Sequence, residues 1–521
     1  MRRAWILSLL VLLSIRLPSL VQPAGGDQGL YAYAGQRILA GDVMYRDAWD
    51  QKPPGIAFTY ALLSRVWPHE SMVPAADLVA AAATASLLVV LGRRRYSEGV
   101  GFGAASLFLL LGDPYLQRMS GIYVRAQCEP FIALAVTAAL TVLARPAPRG
   151  RQFVMAGMAL AAAFWLKYNA AAYALPVAAA TWAWGQEPSG GWRPFLRNLA
   201  LVASGFAAVS AAIIGYFTVN GALMDLRLAT IDYNVRYSNE TYDSPASVVW
   251  YLSTMPLERA RVDMLWLVGG IGGALLLRRA LSERSAPVAL AWMVGAVASI
   301  AINGSRGLPN YFVQAAPALA LAGSAGLATL ADARAWARSA VALLLLVGLW
   351  RVGSDRFVWG FRFASLPGLI ENVGYDLRRV RGRIDREAYL SRFRGQKHDA
   401  LENHRLVQYI RRTTVPGDPV FVFGFSGGSV CWKSGRISSS RFYWSRPVFI
   451  EFAAEREGYG SAGLLADLQR RPPAVVALQK EDWRSQNFFM TTDRLRSWLE
   501  GGYVREYETS MFSVWRRKPV P

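Results

Sequence analysis

The sequence is poor in the residues that build disulfide frameworks and zinc sites. It has two cysteines, Cys128 and Cys431, and three scattered histidines, His69, His398 and His404. These numbers and spacings exclude a disulfide-rich scaffold and a Cys/His zinc motif. A single disulfide between Cys128 and Cys431 stays open if both cysteines face an oxidising space.

The sequence also lacks a glycine-rich phosphate loop. The segment "GFSGGS" at 424–429 follows a predicted strand, but it has no Lys-Ser/Thr ending and no helical pattern after it, so we predict a turn. No internal repeat or low-complexity tract is evident. The sequence therefore offers no nucleotide site of the P-loop type.

Charged residues are scarce and apolar residues are abundant. Only 18% of the residues are charged, 53% are hydrophobic, and the mean hydropathy is +0.21. This composition predicts a membrane part joined to a soluble part. The formal net charge is +21, but many arginines lie in short loops between apolar runs. Basic residues in such loops set membrane orientation, so we assign the charge to topology and lipid headgroups rather than to nucleic acid.

Eleven apolar runs predict a polytopic α-helical membrane protein with about 11 transmembrane helices, although some runs are shorter than the ~20 residues that a perpendicular span needs. The runs are 3–22, 74–91, 99–112, 127–145, 152–168, 170–185, 195–219, 263–280, 287–302, 310–330 and 337–352. We expect this membrane domain to occupy residues 1–352.

The loops between these runs alternate in charge. If the N-terminus is cytoplasmic, every cytoplasmic loop is basic, as the positive-inside rule requires. These loops are 92–95, 144–151, 191–197, 278–284 and 331–338. The opposite loops include 113–126, and these loops and all residues after 352 are then extracytoplasmic. An alternative for the first run is a cleaved signal peptide, since it has an Arg-Arg start and ends in "QPAGG".

Residues 353–521 predict a connector and a small extracytoplasmic α/β domain. "PGDPVFVFGF" and "PPAVVALQ" predict buried strands, and "YVREYETSMFSVWRR" predicts a hairpin. "ALENHRLVQYIRRT" and the segments 461–470 and 491–499 predict helices between them. We expect an independent module that begins near residue 375.

The first outer loop, 23–73, is unusually polar and aromatic for a membrane protein. It contains "GGDQGLYAYAGQRILAGDVMYRDAWDQKPPG", in which residues 28–40 predict an interfacial helix. Asp27, close to the membrane surface, is a candidate general base; the alternative is a helix N-cap. Lys52 precedes Pro53-Pro54, whose stiff backbone would hold its ammonium for an anionic headgroup or phosphate. The alternative for Lys52 is ordinary snorkelling toward headgroups.

The early Asp, the "Y.Y" pattern and "ILAGDVMYRDAWDQKPPG" resemble the polytopic GT-C glycosyltransferases that use polyprenyl-phosphate sugars. This family includes the protein O-mannosyltransferases, lipid A aminoarabinose transferase and the rhizobial core-sugar transferases. The resemblance covers roughly residues 1–350. It implies a multi-pass enzyme of the bacterial inner (plasma) membrane that moves a sugar from a polyprenyl-phosphate donor to a hydroxyl of an extracytoplasmic glycolipid, polysaccharide or protein, with inversion.

The resemblance also implies roles for residues of the first loop. Asp27 maps onto the base or acceptor-positioning group, Lys52 onto a contact to the phosphate or headgroup, and Tyr31 onto a substrate contact. Gln51 stands where several relatives have Glu, so a metal site that depends on that Glu does not carry over. A divalent metal therefore remains an open possibility, and no cofactor is required.

Two charges at the ends of predicted spans extend the candidate site. Glu129 is a candidate catalytic residue, because in the family an acidic residue at this position faces the same cavity as the first-loop Asp; a local pair with Arg125 is the alternative. Lys167 lies where relatives place a cation near the lipid phosphate, and snorkelling is the alternative.

Later segments carry further candidates. Arg306 is a candidate phosphate ligand and Tyr311 a substrate contact, while Asn310 replaces the His of many relatives. Tyr233, in "ATIDYNVRYSNETYD" at 229–243, could stack on a sugar, although interfacial aromatic belts have the same composition.

Two other classes of protein fit parts of the pattern. A lipid or sugar transporter would also have many spans and internal charges, but transporters are often built from repeated halves, and no such symmetry is visible. A non-catalytic assembly protein with a GT-C-like core is the second alternative, because Gln51 and Asn310 depart from the family pattern.

Overall fold

The computed structural model describes residues 2–112, 124–185, 191–352, 357–358, 361–362, 366–395 and 397–519. Most of the predicted outer loop 113–126 and parts of the connector after residue 352 lie outside these ranges. The chain folds into two compact units, each built from more than one segment. The helical unit comprises 1–20, 74–216 and 235–377, and the loop–tail unit comprises 21–73, 217–234 and 378–521.

The grouping of the first outer loop with the tail differs from the sequence-based division at residue 352. Residues 21–73 belong to the same unit as residues 378–521. The domain boundary at 352 and the independence of the tail stay predictions. The first loop packs with the tail inside one unit, which the sequence division did not anticipate.

Every apolar run of the sequence is helical in the structure, because a helix satisfies its own backbone polar groups in an apolar environment. The helices of the helical unit, with 3₁₀ turns included, are Arg2–Arg16, Pro18–Val21, Met72–Arg95, Glu98–Leu111, Cys128–Leu143, Gly150–Leu166, Tyr168–Tyr173, Ala174–Trp184, Trp192–Val219, Tyr233–Asn239, Pro245–Ala260, Met264–Leu277, Ala286–Ile302, Pro309–Ala315, Ala316–Ala328, Thr329–Asp332, Ala335–Val352 and Leu366–Val380. Two short strands, β1 (Phe357–Val358) and β2 (Phe361–Arg362), pair antiparallel.

Several of these helices are long and apolar enough to cross a membrane. By length and composition, the described residues contain three such helices: Met72–Arg95, Trp192–Val219 and Pro309–Ala331. The pair Pro245–Ala260 and Met264–Leu277, bent by 114°, adds a fourth when it is taken as one span. Shorter apolar helices accompany them, and together they indicate an integral membrane protein. The count of eleven spans and the orientation stay predictions.

The loop–tail unit combines helices from three parts of the chain with one sheet. Its helices are Gly26–Leu39, Gly55–Val66, Leu223–Arg227, Leu228–Asp232 (a π-helix), Arg386–Leu390, Ala400–Thr413, Gly427–Ser434, Arg446–Phe449, Gly460–Arg470, Ser485–Thr491 and Asp493–Gly502. Its strands are β3 (Pro419–Phe423), β4 (Ile437–Ser438), β5 (Val475–Gln479), β6 (Tyr503–Glu508) and β7 (Phe512–Arg517). The predicted strands, hairpin and helices of the tail are all present.

The five strands form a mixed sheet in the order β4-β3-β5-β7-β6. Strands β4, β3 and β5 are parallel, with Val420 opposite Ser438 on one side and Val475 on the other. Strand β7 joins β5 antiparallel and pairs with β6 as a hairpin. β3 and β5 are buried along almost their whole length, as expected for central strands covered on both faces.

The segment after β3 is not the simple turn that the sequence predicts. A helix, Gly427–Ser434, begins within "GFSGGS". Glycine and serine are poor helix formers, so the local pattern argues against it. The helix is nevertheless buried along most of its length, and tertiary packing outweighs the weak local propensity.

Candidate active site

Glu129 lies in the first turn of helix Cys128–Leu143 and is completely buried. Its Oε1 accepts a hydrogen bond from Lys167 Nζ at 2.7 Å. Lys167 follows the last residue of helix Gly150–Leu166 and has an extended backbone, with φ −165°. A carboxylate near a helix N-terminus is favoured electrostatically, and the ion pair offsets the cost of burying both charges.

Two neighbouring residues complete what we call the Glu129 cluster: Glu129, Lys167, Asn310 and Tyr311. The Lys167 ammonium lies 4.1 Å from the centroid of the Tyr311 ring, which is a cation–π contact. The Asn310 amide nitrogen is 3.4 Å from each Glu129 carboxylate oxygen. The structure thus brings together three predicted site residues and adds Asn310, which the sequence analysis treated only as a departure from the family pattern.

This geometry corrects one alternative from the sequence. Lys167 does not snorkel, since it is 8% exposed and paired with a buried carboxylate. The helix begins only at Cys128, so Arg125 and Glu129 do not share a helical i,i+4 spacing, and a local pair between them stays an alternative. The chemical roles of Glu129, Lys167 and Tyr311 stay predictions.

Arg306 also belongs to the helical unit, but the contacts that the structure describes for it are with Tyr237 and Glu240 and not with the Glu129 cluster. Its Nη2 donates to the Tyr237 carbonyl at 2.7 Å and to Glu240 Oε2 at 3.2 Å. The guanidinium also lies 3.7 Å from the centroid of the Tyr237 ring. These contacts tie Arg306 to the segment 235–243, and its role as a phosphate ligand stays a prediction.

In the loop–tail unit, Asp27 is the second residue of helix Gly26–Leu39, close to the predicted 28–40. The N-cap residue is Gly25, so the N-cap interpretation of Asp27 is wrong. Asp27 is partly exposed, whereas Gln28 and Leu30 beside it are buried. A first-turn carboxylate is favoured by the helix dipole. The structure therefore leaves Asp27 stabilised and accessible on a helix that is otherwise largely buried.

Asp50 is a candidate site residue that the sequence analysis missed. Its carboxylate is 4% exposed and accepts backbone hydrogen bonds from Gln51 at 2.6 Å and from Lys52 at 3.3 Å. Burial raises the pKa of Asp50 to about 6; the positive charge of Lys52 opposes this rise, and the negative charge of Asp27 adds to it. Asp27, Asp50 and Lys52 therefore form one electrostatically coupled group, which we call the first-loop charge group.

The backbone around Lys52 is held from two sides. The Lys52 carbonyl accepts a hydrogen bond from the Tyr45 hydroxyl at 2.8 Å, and the Gln51 carbonyl accepts one from Asn234 at 2.7 Å. Pro53 and Pro54 follow, and the next helix begins at Gly55. This arrangement gives the partly exposed Lys52 side chain a fixed point of attachment, as the Pro-Pro pair predicts.

The two predicted aromatic contacts of this unit are core residues. Tyr31 packs edge-to-face on Tyr60 with ring centroids 5.5 Å apart. Tyr233 lies edge-to-face against Trp49 and Phe452, at 5.1 Å from each. Both tyrosines are at most 2% exposed, so their contact with a sugar stays a prediction that would need a rearrangement of these rings.

The tail packs on one face of helix Gly26–Leu39. Positions 26, 29, 30 and 33 lie on one helical stripe, and each contacts the tail. A Cβ on Gly26 would lie 2.6 Å from Phe425 Cζ, and one on Gly29 would lie 2.7 Å from Ser429 Cα. Tyr33 Oη accepts a hydrogen bond from the Ser438 amide at 2.8 Å. The stripe leaves no room for larger side chains at its two glycines.

These contacts give the "SGRISSSRFYW" segment at 434–444 a structural role. Besides the Ser438 bond to Tyr33, the Trp49 amide donates to the Arg441 carbonyl at 2.9 Å. Tyr33 and Tyr443 also pack with ring centroids 4.8 Å apart. The segment therefore holds both the first-loop helix and the stretch that leads to Asp50.

The side chains in the described ranges do not form a metal site. No group of three or more His, Cys, Asp and Glu side chains converges there as a ligand set. Asp27 and Asp50 supply two carboxylates, but Asp50 Oδ1 already accepts two backbone hydrogen bonds, and Gln51 is a neutral amide. These residues do not fit a metal, and we derive no chemical step through one. Cys128 and Cys431 are both buried thiols.

No protein-family profile matches the sequence, and no curated protein sequence matches it. Solved structures do match. The crystal structure of ArnT from Cupriavidus metallidurans bound to undecaprenyl phosphate has 14% identity and a TM-score of 0.61, with 98% of this chain and 97% of that chain covered. The apo structure of the same protein gives a TM-score of 0.58 with the same identity and coverage.

A weaker similarity extends to the Archaeoglobus fulgidus oligosaccharyltransferase in complex with Zn and sulfate, with 13% identity, a TM-score of 0.49, and 98% of this chain and 73% of that chain covered. The similarity to ArnT extends over nearly the whole chain. The chain therefore has a GT-C-like fold with a small C-terminal mixed sheet, which confirms the resemblance predicted from the first loop.

Proposed function

We propose that this protein is an integral-membrane glycosyltransferase that transfers a sugar from a polyprenyl-phosphate donor to an acceptor hydroxyl, with inversion. The observation that carries the proposal is the first-loop charge group, in which Asp50 accepts hydrogen bonds from the Gln51 and Lys52 amides and lies within electrostatic reach of the Lys52 ammonium and of the partly exposed Asp27. It occurs in a fold similar to that of ArnT, whose structure contains undecaprenyl phosphate. Fold similarity alone does not give an activity, so the proposed activity depends on the charge group.

The chemistry requires one base and one or more cations. The Asp27 carboxylate takes the proton of the acceptor hydroxyl while the hydroxyl oxygen bonds to the anomeric carbon. The bond from that carbon to the phosphate oxygen breaks, and its electron pair leaves with the polyprenyl phosphate. Attack opposite the leaving phosphate inverts the anomeric centre. The Lys52 ammonium, on its fixed backbone, stabilises the charge that develops on the phosphate.

Asp50 is a positioning residue in this scheme. Its carboxylate holds the Gln51 and Lys52 amides and lies within electrostatic reach of the Lys52 ammonium and of Asp27. Two carboxylates in different environments can take different roles, and the buried one is the less suitable base, because it has less access to substrate. Asp50 therefore fixes the backbone of Lys52, and Asp27 transfers the proton.

Lys167 and Arg306 are further candidate phosphate ligands. Lys167 is already desolvated and donates one of its three N–H groups to Glu129 at 2.7 Å, so it can also donate to a phosphate oxygen. Arg306 has a planar guanidinium suited to phosphate, and its rim partner Glu240 is 41% exposed. We assign both to the donor phosphate, together with Tyr311 beside Lys167.

We place the protein in the bacterial inner membrane, with a cytoplasmic N-terminus and the first loop and tail outside. The basic loops support this orientation. A lipid-linked donor suits that location, because the phosphate that activates the sugar arrives with the lipid and no nucleotide is needed. The acceptor is then a glycolipid, polysaccharide or protein outside the cytoplasm.

The test is a transfer assay with purified protein in lipid vesicles. Undecaprenyl-phosphate sugars are supplied one at a time, with an envelope extract as acceptor, and the release of undecaprenyl phosphate is measured together with label in the product. We expect Asp27→Asn to lower the rate about 10²-fold or more, because Asn keeps the size but cannot take the proton. Binding of undecaprenyl phosphate should be retained.

Asp42→Asn is the matched control, since Asp42 lies at the other end of the same helix and pairs with Arg37 at 2.6 Å. It should transfer sugar at nearly the normal rate. Equal rates for wild type and Asp27→Asn would refute the base assignment. A folded wild type that binds the donor without transfer would instead indicate an assembly protein, and movement of intact donor across the vesicle would indicate a transporter.

A further inference from the structure

Two loops of the tail meet at the carboxyl ends of the parallel strands β3 and β5. The chain leaves β3 toward β4 on one side and leaves β5 toward β7 and β6 on the other. The connections therefore diverge between β3 and β5, which is a topological switch point. In open α/β sheets, ligands bind at such points, outside the carboxyl ends of the strands.

Hydrogen bonds join these two loops to a third. Gln479, the last residue of β5, accepts from the Ser426 amide at 2.9 Å and donates to the Lys397 carbonyl at 3.0 Å. Asp482 accepts from the Phe425 amide at 3.1 Å. The loop after β3, the loop after β5 and the loop that carries Lys397 are thus fixed relative to one another.

The loops bring two cations to one partly exposed aromatic ring. The Lys397 ammonium lies 4.5 Å from the centroid of the Trp483 ring, and the Arg446 guanidinium lies 5.8 Å from it. All three side chains are partly exposed. Burial lowers the pKa of Lys397, and the positive charge of Arg446 lowers it further, while Asp482 and Asp27 act in the opposite direction. Two cations beside one ring repel each other, so an anion between them would be favoured.

These loops lie next to the proposed base within the same unit. The Phe425 ring packs on Gly26, the residue before Asp27, and lies 5.0 Å from the Trp483 ring. Asp27 also acts electrostatically on Lys397. Two successive contacts therefore link Asp27 to Trp483: its neighbour Gly26 packs on Phe425, and Phe425 packs on Trp483.

We propose that Lys397, Arg446 and Trp483 form an acceptor subsite for an anionic saccharide. A phosphate or carboxylate on that saccharide binds Lys397 and Arg446, and its sugar ring packs against the exposed part of Trp483. Aromatic faces suit the apolar face of a sugar, and a lysine with an arginine suits an oxyanion. This subsite rests on the proposed transfer reaction, since it assigns the acceptor to the tail side of Asp27.

The experiment measures binding to the full-length protein in detergent by titration calorimetry. The probes are glucose 1-phosphate, glucuronate, glucose and inorganic phosphate. We expect the wild type to bind at least one anionic sugar more tightly than glucose and inorganic phosphate. Lys397→Gln and Arg446→Gln should each weaken that binding about tenfold or more, the usual scale of a charge-assisted hydrogen bond. Trp483→Ala should weaken it several-fold, and Trp483→Phe should restore most of the loss.

Lys480→Gln is the matched control, because Lys480 is another lysine of the tail and pairs with Glu508 at 2.5 Å. It should bind like the wild type. Asp27→Asn should also bind the anionic sugar like the wild type, so the binding measurement does not depend on turnover. In the transfer assay, Lys397→Gln should raise the KM for the acceptor and leave the KM for the donor unchanged.

The outcomes separate the two proposals. Tight binding of an anionic sugar without any transfer supports the subsite and refutes the transfer reaction. Normal transfer with equal affinities in Lys397→Gln, Arg446→Gln and wild type overturns the subsite alone. Binding of inorganic phosphate as tight as that of the anionic sugars, or a donor KM that rises with the acceptor KM, also overturns it.

Discussion

Asp50→Asn should make the protein more stable and less active. Burial raises the pKa of Asp50 from its ordinary value of 3.8 to about 6. A buried carboxyl group with a raised pKa favours folding only while it is protonated. The stability of the wild type should therefore fall as the pH rises from about 4 to about 6 and stay low above that range.

The size of the effect follows from the two pKa values. At about 1.4 kcal/mol per pKa unit, ionisation of Asp50 costs the folded state up to about 3 kcal/mol at neutral pH. At pH 4.5 the same relation gives a cost to the folded state of about 1 kcal/mol. The Asn variant has no charge to bury, and its Oδ1 can still accept from Gln51 and Lys52. Its gain in the free energy of unfolding should therefore grow by about 2 kcal/mol between pH 4.5 and pH 7.5.

The assay is denaturant unfolding of the purified protein in detergent at both pH values, together with sugar transfer. Asp47→Asn is the control in the same loop. Burial raises the pKa of Asp47, but hydrogen bonds from Arg46 and the Val43 amide outweigh this, and its pKa ends below the ordinary value. Its replacement should destabilise the protein at both pH values. If Asp50→Asn destabilises equally at pH 4.5 and 7.5, the reasoning about its burial is wrong.

Three further predictions concern the Glu129 cluster, the first-loop helix and the topology. Lys167→Met should cost about 3–5 kcal/mol in unfolding experiments, because Glu129 is left buried without its ion pair, and adding Glu129→Gln should restore most of that loss. Gly29→Ala should cost about 1–3 kcal/mol by overpacking against Ser429, whereas Gly501→Ala, with open space around it, should be nearly neutral. A reporter that is active only in the cytoplasm should be silent when it is fused after residue 521; activity there would contradict the predicted orientation.

The fold could largely be predicted because its elements depend on local patterns. Apolar runs of helical length became helices, and the strands Pro419–Phe423 and Val475–Gln479 lie where apolar residues follow turn signals. The helix Gly427–Ser434 was missed because its stability comes from elsewhere in the chain. Gly428 lies against Leu30, where a Cβ would be 2.9 Å from the Leu30 Cα, so small residues are required there despite their poor helix propensity.

The candidate site could be predicted only in part. Glu129, Lys167 and Tyr311 were singled out one by one, but their convergence depends on how three helical segments pack, and spacing in the sequence does not encode that. Asp50 was missed for a related reason. Nothing local distinguishes the Asp of "AWDQK" from a solvated acid, and its burial arises from the folded loop. The Asn310 amide that faces Glu129 could have been found from its position beside Tyr311.

The first-loop helix, Gly26–Leu39, is packed on two of its faces. The stripe of residues 26, 29, 30 and 33 contacts the tail, while Tyr31 and Gly35 contact helix Gly55–Val66, on the stripe that begins with Asp27. Asp27, itself partly exposed, is thus held in the first turn of a helix that two neighbours fix in place. A base needs such a fixed position, since its effect depends on hydrogen-bond distance to the proton that it takes. The polar and aromatic residues of the loop build that support, and the tail supplies half of it.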